Sequence, residues 1–261
     1  MRKGTILIGM FAALVALAAF AMGQTAQEHI QKGDEFYAQF DDQKALEEYK
    51  QAVALEPANY EALWKFARAM VDTADLVDPK EKGAQDKQKK MYGEAESAAR
   101  KAIAANPNDT WGHFTLSSAM GKRLLLLGKK EQIEASHKVK GIIEKAIELD
   151  ATNDLAFHAL GRWHRRIAEI GGAKRFFGSL IYGSIPKGSF EESAQFLEKA
   201  VELRPGYINH HYELGLTYLA LEKKDKAAEE FQKCLDLEKT SSKDDMIKGW
   251  ARAELGKLKK G

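Results

Sequence analysis

Apolar residues recur at helical spacing along most of the chain, in segments that end at similar short motifs. Each motif has a small residue, then an apolar pair, then a helix-stopping residue five positions after the small one. The small residues are Ala52, Ala102, Ala146, Ala200 and Cys234, and the stopping positions are Pro57, Pro107, Ala151, Pro205 and Lys239. Proline stops a helix because it lacks an amide hydrogen and clashes with the preceding turn. The pattern predicts five pairs of amphipathic helices.

Each predicted pair is similar to the tetratricopeptide (TPR) repeat, a helix–turn–helix unit of 34 residues. Small residues at Gly33, Gly161 and Gly215 would let the two helices of a pair approach closely. Only the last spacing between stopping positions, from 205 to 239, equals one repeat, so the others carry insertions. We predict an all-α, right-handed TPR-like solenoid of about five pairs, with a helix near 242–258 as a polar cap on its open end.

The three predicted insertions differ in composition. Residues 75–90 are charged and predict a solvated loop or lengthened helices, whereas the leucine run in 122–132 predicts a helix end on the core. The third insertion, 168–190, is too apolar for a solvated loop; its large apolar residues are Phe176, Phe177, Leu180, Ile181, Tyr182 and Ile185. It is interpreted as a structural plug, as a ligand lid or as a membrane contact, and Ser189 with Glu192 predicts a capping box that restarts the helix.

The N-terminal segment 1–23 differs from the rest of the chain. A short basic start precedes residues 4–23, which carry no charge, and small residues occupy positions 21 and 23. This pattern predicts a signal peptide and an exported, periplasmic or envelope protein. The alternative is an uncleaved membrane anchor at 4–23, which would be the chain's only association with a membrane. Residues 24–261 form the predicted helical domain, and without 1–23 the formal charge falls from +2 to 0, which argues against nucleic acid as a partner.

Several segments resemble the regulator of microtubule dynamics family. They are ALWKFARAM at 62–70, KKEQIEASHKVKGIIEKAIELD at 129–150, ALGRWHRRIAEI at 159–170 and FFGSLIYGSIPKGSFEESAQFLEKAVELRPGY at 176–207. The resemblance covers about 60–239 and implies a TPR-like helical domain without catalytic activity. The chain departs from the family at 171–175, which lacks the tryptophan that the family has there. The chain therefore resembles an exported, bacterial-type member of the family. Because an exported protein does not meet tubulin, the resemblance implies the fold and not a microtubule function.

The sequence offers no catalytic constellation and predicts no cofactor or metal site. It contains no glycine-rich phosphate loop, no GxSxG and no HExxH. His158 and His164 lie six residues apart and face opposite sides of one helix, and His210 and His211 also diverge. Cys234 stands in the small-residue position of its repeat and predicts a buried, unreactive thiol.

A binding function fits the sequence better, because the first helix of each pair in such solenoids lines a concave groove. The predicted groove combines cations and aromatic rings: Trp64, Lys65, Arg68, Trp111, Phe114, Lys122, Arg162, Arg165, Arg166 and Tyr212. Arginine suits a carboxylate or phosphate because its planar fork donates two hydrogen bonds. The alternative is that Trp64 and Trp163 are core residues and that the cations pair with Glu61, Glu169 or Glu213.

Three functions remain open from the sequence. The first is a non-enzymatic scaffold that recognises an acidic peptide, a protein tail or an anionic lipid headgroup through the concave face. The second is a structural assembly subunit that uses its convex face or its C-terminal helix. The third is a carrier of a hydrophobic ligand, roofed by the insertion at 168–190.

Overall fold

The structure is a computed structural model that describes residues 24–172, 178, 181 and 184–259. In this part of the chain all regular secondary structure is helical. The eleven described helices are α1 Ala26–Ala38, α2 Asp42–Leu55, α3 Tyr60–Asp75, α4 Ala84–Ala105, α5 Thr110–Leu124, α6 Lys129–Leu149, α7 Asp154–Ala168, α8 Phe190–Leu203, α9 Ile208–Ala220, α10 Lys224–Asp236 and α11 Asp244–Leu258. They form five antiparallel pairs and a closing helix, which confirms the predicted all-α, TPR-like solenoid.

The helices begin and end where short polar residues and prolines direct them. Thr25 caps α1 with a reciprocal bond to Glu28, and Asn59 and Asn153 each accept a hydrogen bond from an amide in the first turn of α3 and α7. Pro57 lies two residues beyond the end of α2, as Pro107 and Pro205 do beyond α4 and α8. The predicted stopping positions therefore mark the junctions between pairs.

Glycines allow the close contact within three of the pairs. A Cβ atom on Gly33 would lie 2.4 Å from the ring of Tyr49. A Cβ on Gly161 would lie 2.6 Å from Leu197 Cγ, and the glycine of the fifth pair meets the Phe231 ring in the same way. Such distances leave no room for a side chain, so the small residues act as the sequence predicted.

The first helices of the pairs share one side of the solenoid. Helix α3 contacts α1 and α5, and α7 contacts α5 and α9, whereas the second helices of successive pairs make no such contacts with one another among the described elements. The first helices are therefore crowded together on the concave side, and the second helices are spread over the convex side. This arrangement places α1, α3, α5, α7 and α9 around one interior.

The insertions lengthen helices as well as loops. After the exposed turn 79–83, α4 runs for 22 residues, and in the second insertion Leu124 and Leu126 pack on the core while Leu125 is 56% exposed. In the third insertion Ile185 and Pro186 are buried, whereas Ile181 is exposed. The other residues on which the plug, lid and membrane interpretations depend, at 173–177, 179–180 and 182–183, lie outside the described part of the chain.

The prediction of a capping box at the start of α8 is half right. Ser189 accepts a hydrogen bond from the Glu192 amide at 3.2 Å, as expected of an N-cap. The carboxylate of Glu192 does not return to the cap, however, because its Oε2 lies 3.0 Å from Nδ1 of the buried His164. Glu191 instead accepts a hydrogen bond from the Ser189 hydroxyl at 2.7 Å.

The prediction of an open solenoid is wrong. Residues 240–243, here called the strap, precede α11 and reach back to the first two pairs. Ser242 donates a hydrogen bond to Asp42 at the start of α2, and Lys243 Nζ lies 2.7 Å from Asp72 and 3.2 Å from Asp75 on α3. Asp244 fixes the strap by accepting hydrogen bonds from the amides of residues 240 and 241. The two ends of the helical array are therefore joined.

Candidate binding pocket on the concave face

Three aromatic residues of the predicted groove form a continuous stack between α3 and α5. The Trp64 and Trp111 rings stack with centroids 4.9 Å apart, and Phe114 meets Trp111 edge to face at 5.9 Å. Trp64 is only 9% exposed, and Trp163 is 8% exposed. The interpretation of these two tryptophans as core residues is therefore confirmed, while Trp111 presents one face to the concave interior.

Lys65 is neutralised by its own neighbours. Its Nζ lies 2.6 Å from Asp34 on α1 and 2.6 Å from Glu61 one turn earlier on α3. The lysine side chain is buried, whereas both carboxylates are nearly half exposed, so solvent screens the two ion pairs. Its place on the inner face agrees with the sequence prediction, and its charge is already matched.

Lys122 belongs to a buried ion network that the strap completes. Its Nζ lies 2.6 Å from Asp75, which also accepts a hydrogen bond from the Tyr92 hydroxyl at 2.7 Å. Burial alone would raise the pKa of Asp75, but Lys243 and Lys122 hold it at about 2. The neighbouring Asp72 is the closer partner of Lys243. Two lysines and two aspartates thus fill the centre of the concave side.

The arginines of α7 pair with acidic residues, as the alternative interpretation predicted. Arg162 Nε lies 2.8 Å from Glu213, in an ion contact that lacks hydrogen-bond alignment. Arg165 binds the same carboxylate and also lies 2.6 Å from Glu169. Arg166 is 54% exposed, with Glu169 at 3.7 Å. Glu213 is buried, and although burial would raise its pKa, the arginines lower it.

Arg68 differs from the other predicted groove cations. Its guanidinium lies 4.0 Å from the Tyr37 ring centroid and 5.0 Å from that of Trp64, in cation–π geometry. It makes no ion pair with any carboxylate in the described part of the chain, and its buried Nε has no hydrogen-bond partner there. A buried donor without a partner is rare in native proteins. Arg162 Nε and Arg165 Nε also lack a hydrogen bond, but both of these arginines pair with Glu213, whereas Arg68 has no carboxylate partner in the described chain.

A cavity of about 120 Å³ lies beside Arg68 and is here called the concave pocket. The first helices supply Tyr37 and Asp72 to its wall, together with Trp111 and Leu155 from the first turns of α5 and α7. The strap closes one side. Of the predicted groove residues only Arg68 and Trp111 line it; Tyr212 packs instead on Phe231 and Trp250 at the C-terminal end.

Two further residues of the pocket were missed by the sequence analysis. Arg204 and Tyr207 flank the turn before α9, and the Arg204 guanidinium lies 4.6 Å from the Tyr207 ring centroid. Arg204 is 46% exposed at the rim, with Asp154 at 3.8 Å. A signal was present, because the residues before the five stopping positions are Glu56, Asn106, Asp150, Arg204 and Glu238. Only one of the five is basic.

A buried histidine pair stands behind this wall. Asp154 accepts a hydrogen bond from His210 Nε2 at 2.8 Å, so neutral His210 carries its proton on Nε2. Its Nδ1 then accepts from Nδ1–H of His158, 2.9 Å away. Burial lowers the pKa of both rings, and for His158 the second cause is His210 itself. The pair is therefore neutral and serves to align α7 with α9.

The described residues place no reactive constellation near the pocket. Among them, no group of three His, Cys, Asp or Glu side chains is arranged to hold a metal ion. Cys234 is buried, and burial raises the pKa of its thiol to about 12. None of the described helices is long and apolar enough to cross a membrane.

Comparison with known proteins places the chain in a family. The family model described as "Regulator of microtubule dynamics protein 1-3" matches residues 29–259. The chain belongs to this family. Regulator of microtubule dynamics protein 1 of Bos taurus is 27% identical over 226 residues, which are 85% of this chain and 68% of that protein. The Homo sapiens protein is 25% identical over 185 residues, which are 70% of this chain and 58% of that protein. The chain therefore spans little more than half of its human relative.

Solved structures agree with the family's TPR-like fold. TTC0263, a TPR protein of Thermus thermophilus, aligns with a TM-score of 0.64 and 16% identity, over 88% of this chain and 99% of that one. PilF of Pseudomonas aeruginosa aligns with a TM-score of 0.52 and 11% identity, over 89% of this chain and 88% of that one. At these identities the likeness concerns the fold alone.

Proposed function

We propose that this member of the regulator of microtubule dynamics family is a non-enzymatic binding protein. Its concave pocket receives an acidic group of a peptide or protein tail. The observation that carries the proposal is Arg68, whose guanidinium borders the pocket without a carboxylate partner in the described chain. A ligand carboxylate would supply the missing acceptor and form a charge-assisted, two-pronged pair.

The charges of the pocket support an anionic ligand. Three cations line it, namely Arg68, Arg204 and Lys243, against the two carboxylates of Asp42 and Asp72. Both aspartates are already engaged, Asp42 by Ser242 and Asp72 by Lys243. The excess positive charge therefore faces the cavity from the arginine side.

The dimensions of the pocket favour a single acidic side chain or chain terminus. A volume of about 120 Å³ equals roughly four water molecules at about 30 Å³ each, which suffices for a carboxylate and its nearest carbons. The rings of Trp111 and Tyr207 offer apolar surface beside it. Arg68 lies inside the solenoid behind the strap, where a flexible peptide reaches it more readily than a lipid headgroup held in a bilayer.

The test measures binding of an acidic peptide with a free C-terminal carboxylate by isothermal titration calorimetry. Its counterpart has lysines in place of the acids and an amidated terminus. The variant Arg68→Gln removes the charge and leaves a shorter side chain that can still donate a hydrogen bond. Hydrogen bonds to charged groups contribute about 1.5–3 kcal/mol, so the expected loss of affinity is roughly 10- to 100-fold.

The matched control is Arg252→Gln, because this exposed arginine on α11 has no ion pair in the described chain. It should bind the acidic peptide like the native protein. Arg162 is a poor choice for this test, since changing it would also leave Glu213 with one partner fewer. Equal binding by Arg68→Gln and the native protein would rule out the pocket. Binding of anionic vesicles that depends on Arg68, without peptide binding, would transfer the site to a lipid headgroup.

A second candidate function, the assembly subunit, is supported by α11. Met246 and Trp250 lie on this closing helix and are 38% and 45% exposed. Large apolar side chains on an end helix offer a contact to a further protein. Replacing both by serine should then abolish assembly in sedimentation velocity while Arg68-dependent peptide binding persists. The hydrophobic carrier is not favoured by any described residue, because Phe176, Phe177, Leu180 and Tyr182 of its roof lie outside the described chain.

We also propose that residues 1–23 direct export and that the domain acts in the periplasm or envelope. The support is the sequence pattern of a basic start, an uncharged apolar run and small residues before position 24. Expression with cell fractionation and N-terminal sequencing tests it. A mature chain beginning near Gln24 in the exported fraction is expected, whereas an intact N-terminus in a membrane fraction would establish the anchor.

A further inference from the structure

An open groove adjoins the concave pocket, with which it shares Phe40 and Asp42, at a place where the ends of three helices meet. It is bounded by the start of α2, the end of α3 and the start of α4 and has a volume of about 700 Å³. Its floor contains Leu46, Val77 and Met91, and its edges carry Phe40 and Leu76. This volume falls within the range of about 300–1,000 Å³ that is typical of ligand clefts. The set of residues is here called the apolar groove.

The edges of the apolar groove expose large hydrophobic side chains. Leu76 is 46% exposed and Phe40 is 37% exposed. Leu76 ends α3 as its C-cap and is not needed to fill the core. Apolar side chains exposed side by side around a groove are more characteristic of a contact surface than of a random distribution.

The backbone at Phe40 gives a second reason to regard its ring as functional. Phe40 has a φ of 64°, in the left-handed region that bulky side chains disfavour. The corresponding turn of the fifth pair places Glu222 at a φ of 61°. The turn therefore requires this conformation but not an aromatic residue. The ring therefore stands at a strained backbone position, where its contacts are the groove and Lys239, whose Nζ lies 5.9 Å from the ring centroid.

Acidic residues surround the apolar floor. Four carboxylates and one ammonium group line the groove: Asp41, Asp42, Asp78, Glu81 and Lys87. Asp41 pairs with Lys44 at 2.9 Å, and Asp42 is buried and bonded to Ser242. Asp78 is exposed and makes no ion pair within the described residues, and Glu81 pairs with Lys87 at 3.4 Å with both side chains half exposed. The rim is therefore negative, the opposite of the arginine side of the concave pocket.

We propose that the apolar groove binds a basic amphipathic helix of a partner protein. Apolar side chains of the partner at positions i, i+3 or i+4, and i+7 would enter between Phe40 and Leu76, as in other helix-in-groove contacts. Lysine or arginine residues flanking that stripe would meet the acidic rim. The walls are helices with satisfied backbones, so they offer no sheet edge to an extended strand. The acidic rim repels anionic membranes and acidic peptides.

The test uses a fluorescein-labelled helical peptide of leucine and lysine, with leucines at the i, i+3, i+4, i+7 positions, and the purified full chain. Fluorescence anisotropy measures binding. Leu76→Ser and the double reversal Asp78→Lys/Glu81→Lys should each weaken it at least tenfold. Added salt should also weaken peptide binding by the native protein, because the ion pairs between the peptide and the acidic rim would be exposed to solvent. None of these three residues lines the concave pocket, so acidic-peptide binding there should be unchanged and the two proposals fail separately.

Matched controls lie at other surfaces of the solenoid. Leu55, 54% exposed at the end of α2, supplies Leu55→Ser, and the exposed pair on α10 supplies Asp225→Lys/Glu229→Lys. Both controls should bind the basic peptide like the native protein. Phe40→Gly should bind it at least tenfold more weakly yet unfold at the same or a higher temperature, since glycine suits the left-handed turn. Because Phe40 also lines the concave pocket, Leu76→Ser and the double reversal are the variants that separate the two proposals.

Three results would overturn the proposal. The controls could weaken binding as much as the groove variants do, which would mean non-specific attraction. A leucine–glutamate peptide or an anionic vesicle could bind as well as the basic peptide, which would remove the role of the rim. Finally, Leu76→Ser and Phe40→Gly could both retain native affinity, which would place the peptide elsewhere.

Discussion

Replacing Lys243 by methionine should destabilise the protein strongly, because this residue holds the strap against α3. Its Nζ neutralises Asp72 at 2.7 Å and Asp75 at 3.2 Å, and all three side chains are mostly buried. Methionine keeps the length and removes the charge. Asp72 then keeps only the Tyr37 hydroxyl at 3.1 Å among the described residues, whereas Asp75 keeps Lys122 and the Tyr92 hydroxyl.

The size of the effect follows from Asp75. Its pKa is lowered from 3.8 to about 2, and since each pKa unit corresponds to about 1.4 kcal/mol, the shift represents roughly 2–3 kcal/mol. Lys243 supplies part of this stabilisation of Asp75 and is also the ion-pair partner of Asp72. Removing one partner of a buried ion pair costs about 3–5 kcal/mol in other proteins. We therefore expect Lys243→Met to lower the free energy of unfolding by about 3 kcal/mol.

The assay is urea unfolding followed by far-ultraviolet circular dichroism at pH 6 and at pH 3. Asp75 has a lowered pKa in the folded state, so its contribution is present above about pH 3.8 and is lost as the pH falls toward about 2. The difference between native protein and variant should accordingly shrink at pH 3. The control is Lys224→Met, at an exposed lysine without an ion pair in the described chain. Equal stabilities of Lys243→Met and Lys224→Met would refute the reasoning.

Gly161→Ala should lower the free energy of unfolding by about 1–3 kcal/mol, because the new Cβ would lie 2.6 Å from Leu197 Cγ. Gly141 has open space around it, so Gly141→Ala should raise the free energy of unfolding by up to about 1 kcal/mol. The midpoints of urea unfolding test both variants. Burial and the partner histidine hold the pKa of His158 well below 6.5, so the free energy of unfolding should fall as the pH drops below about 6.5. The variant His158→Asn should lose less of its free energy of unfolding between pH 7.5 and pH 5 than the native protein does. Cys234, with a pKa of about 12, should resist a thiol-reactive disulfide reagent at pH 8 until urea unfolds the chain, and rapid reaction of the folded protein would contradict its burial.

The helical array could be predicted from the sequence because its determinants are local. The proline after α2 at position 57 and the glycine–aromatic contact of Gly33 with Tyr49 act within one pair. Periodicity also placed Lys65 on the inner face of α3, since residues three and four apart share a helix face. It could not reveal the two carboxylates that neutralise this lysine, one of which lies on another helix.

The residues that define the concave pocket depend on contacts between distant parts of the chain. Lys243 meets Asp72 across 171 residues and Ser242 meets Asp42 across 200. No pattern of spacing within one helix predicts such a contact, because it depends on the summed curvature of five pairs. For the same reason the sequence could propose ten groove residues but could not single out Arg68 as the cation without a carboxylate partner in the described chain.

The strap changes how the solenoid can come apart. In a linear repeat array each unit is coupled only to its neighbours, so the terminal helices can fray independently. Here Lys243 couples the last repeat to the second, and the linear series of couplings becomes a ring. Helices α1 and α11 lie outside the ring, but the helices between them cannot separate until this closure breaks, which should make their unfolding more cooperative than in an open array. A force that pulls α1 and α11 apart would act on the contacts of the strap with α2 and α3 before it extended the solenoid.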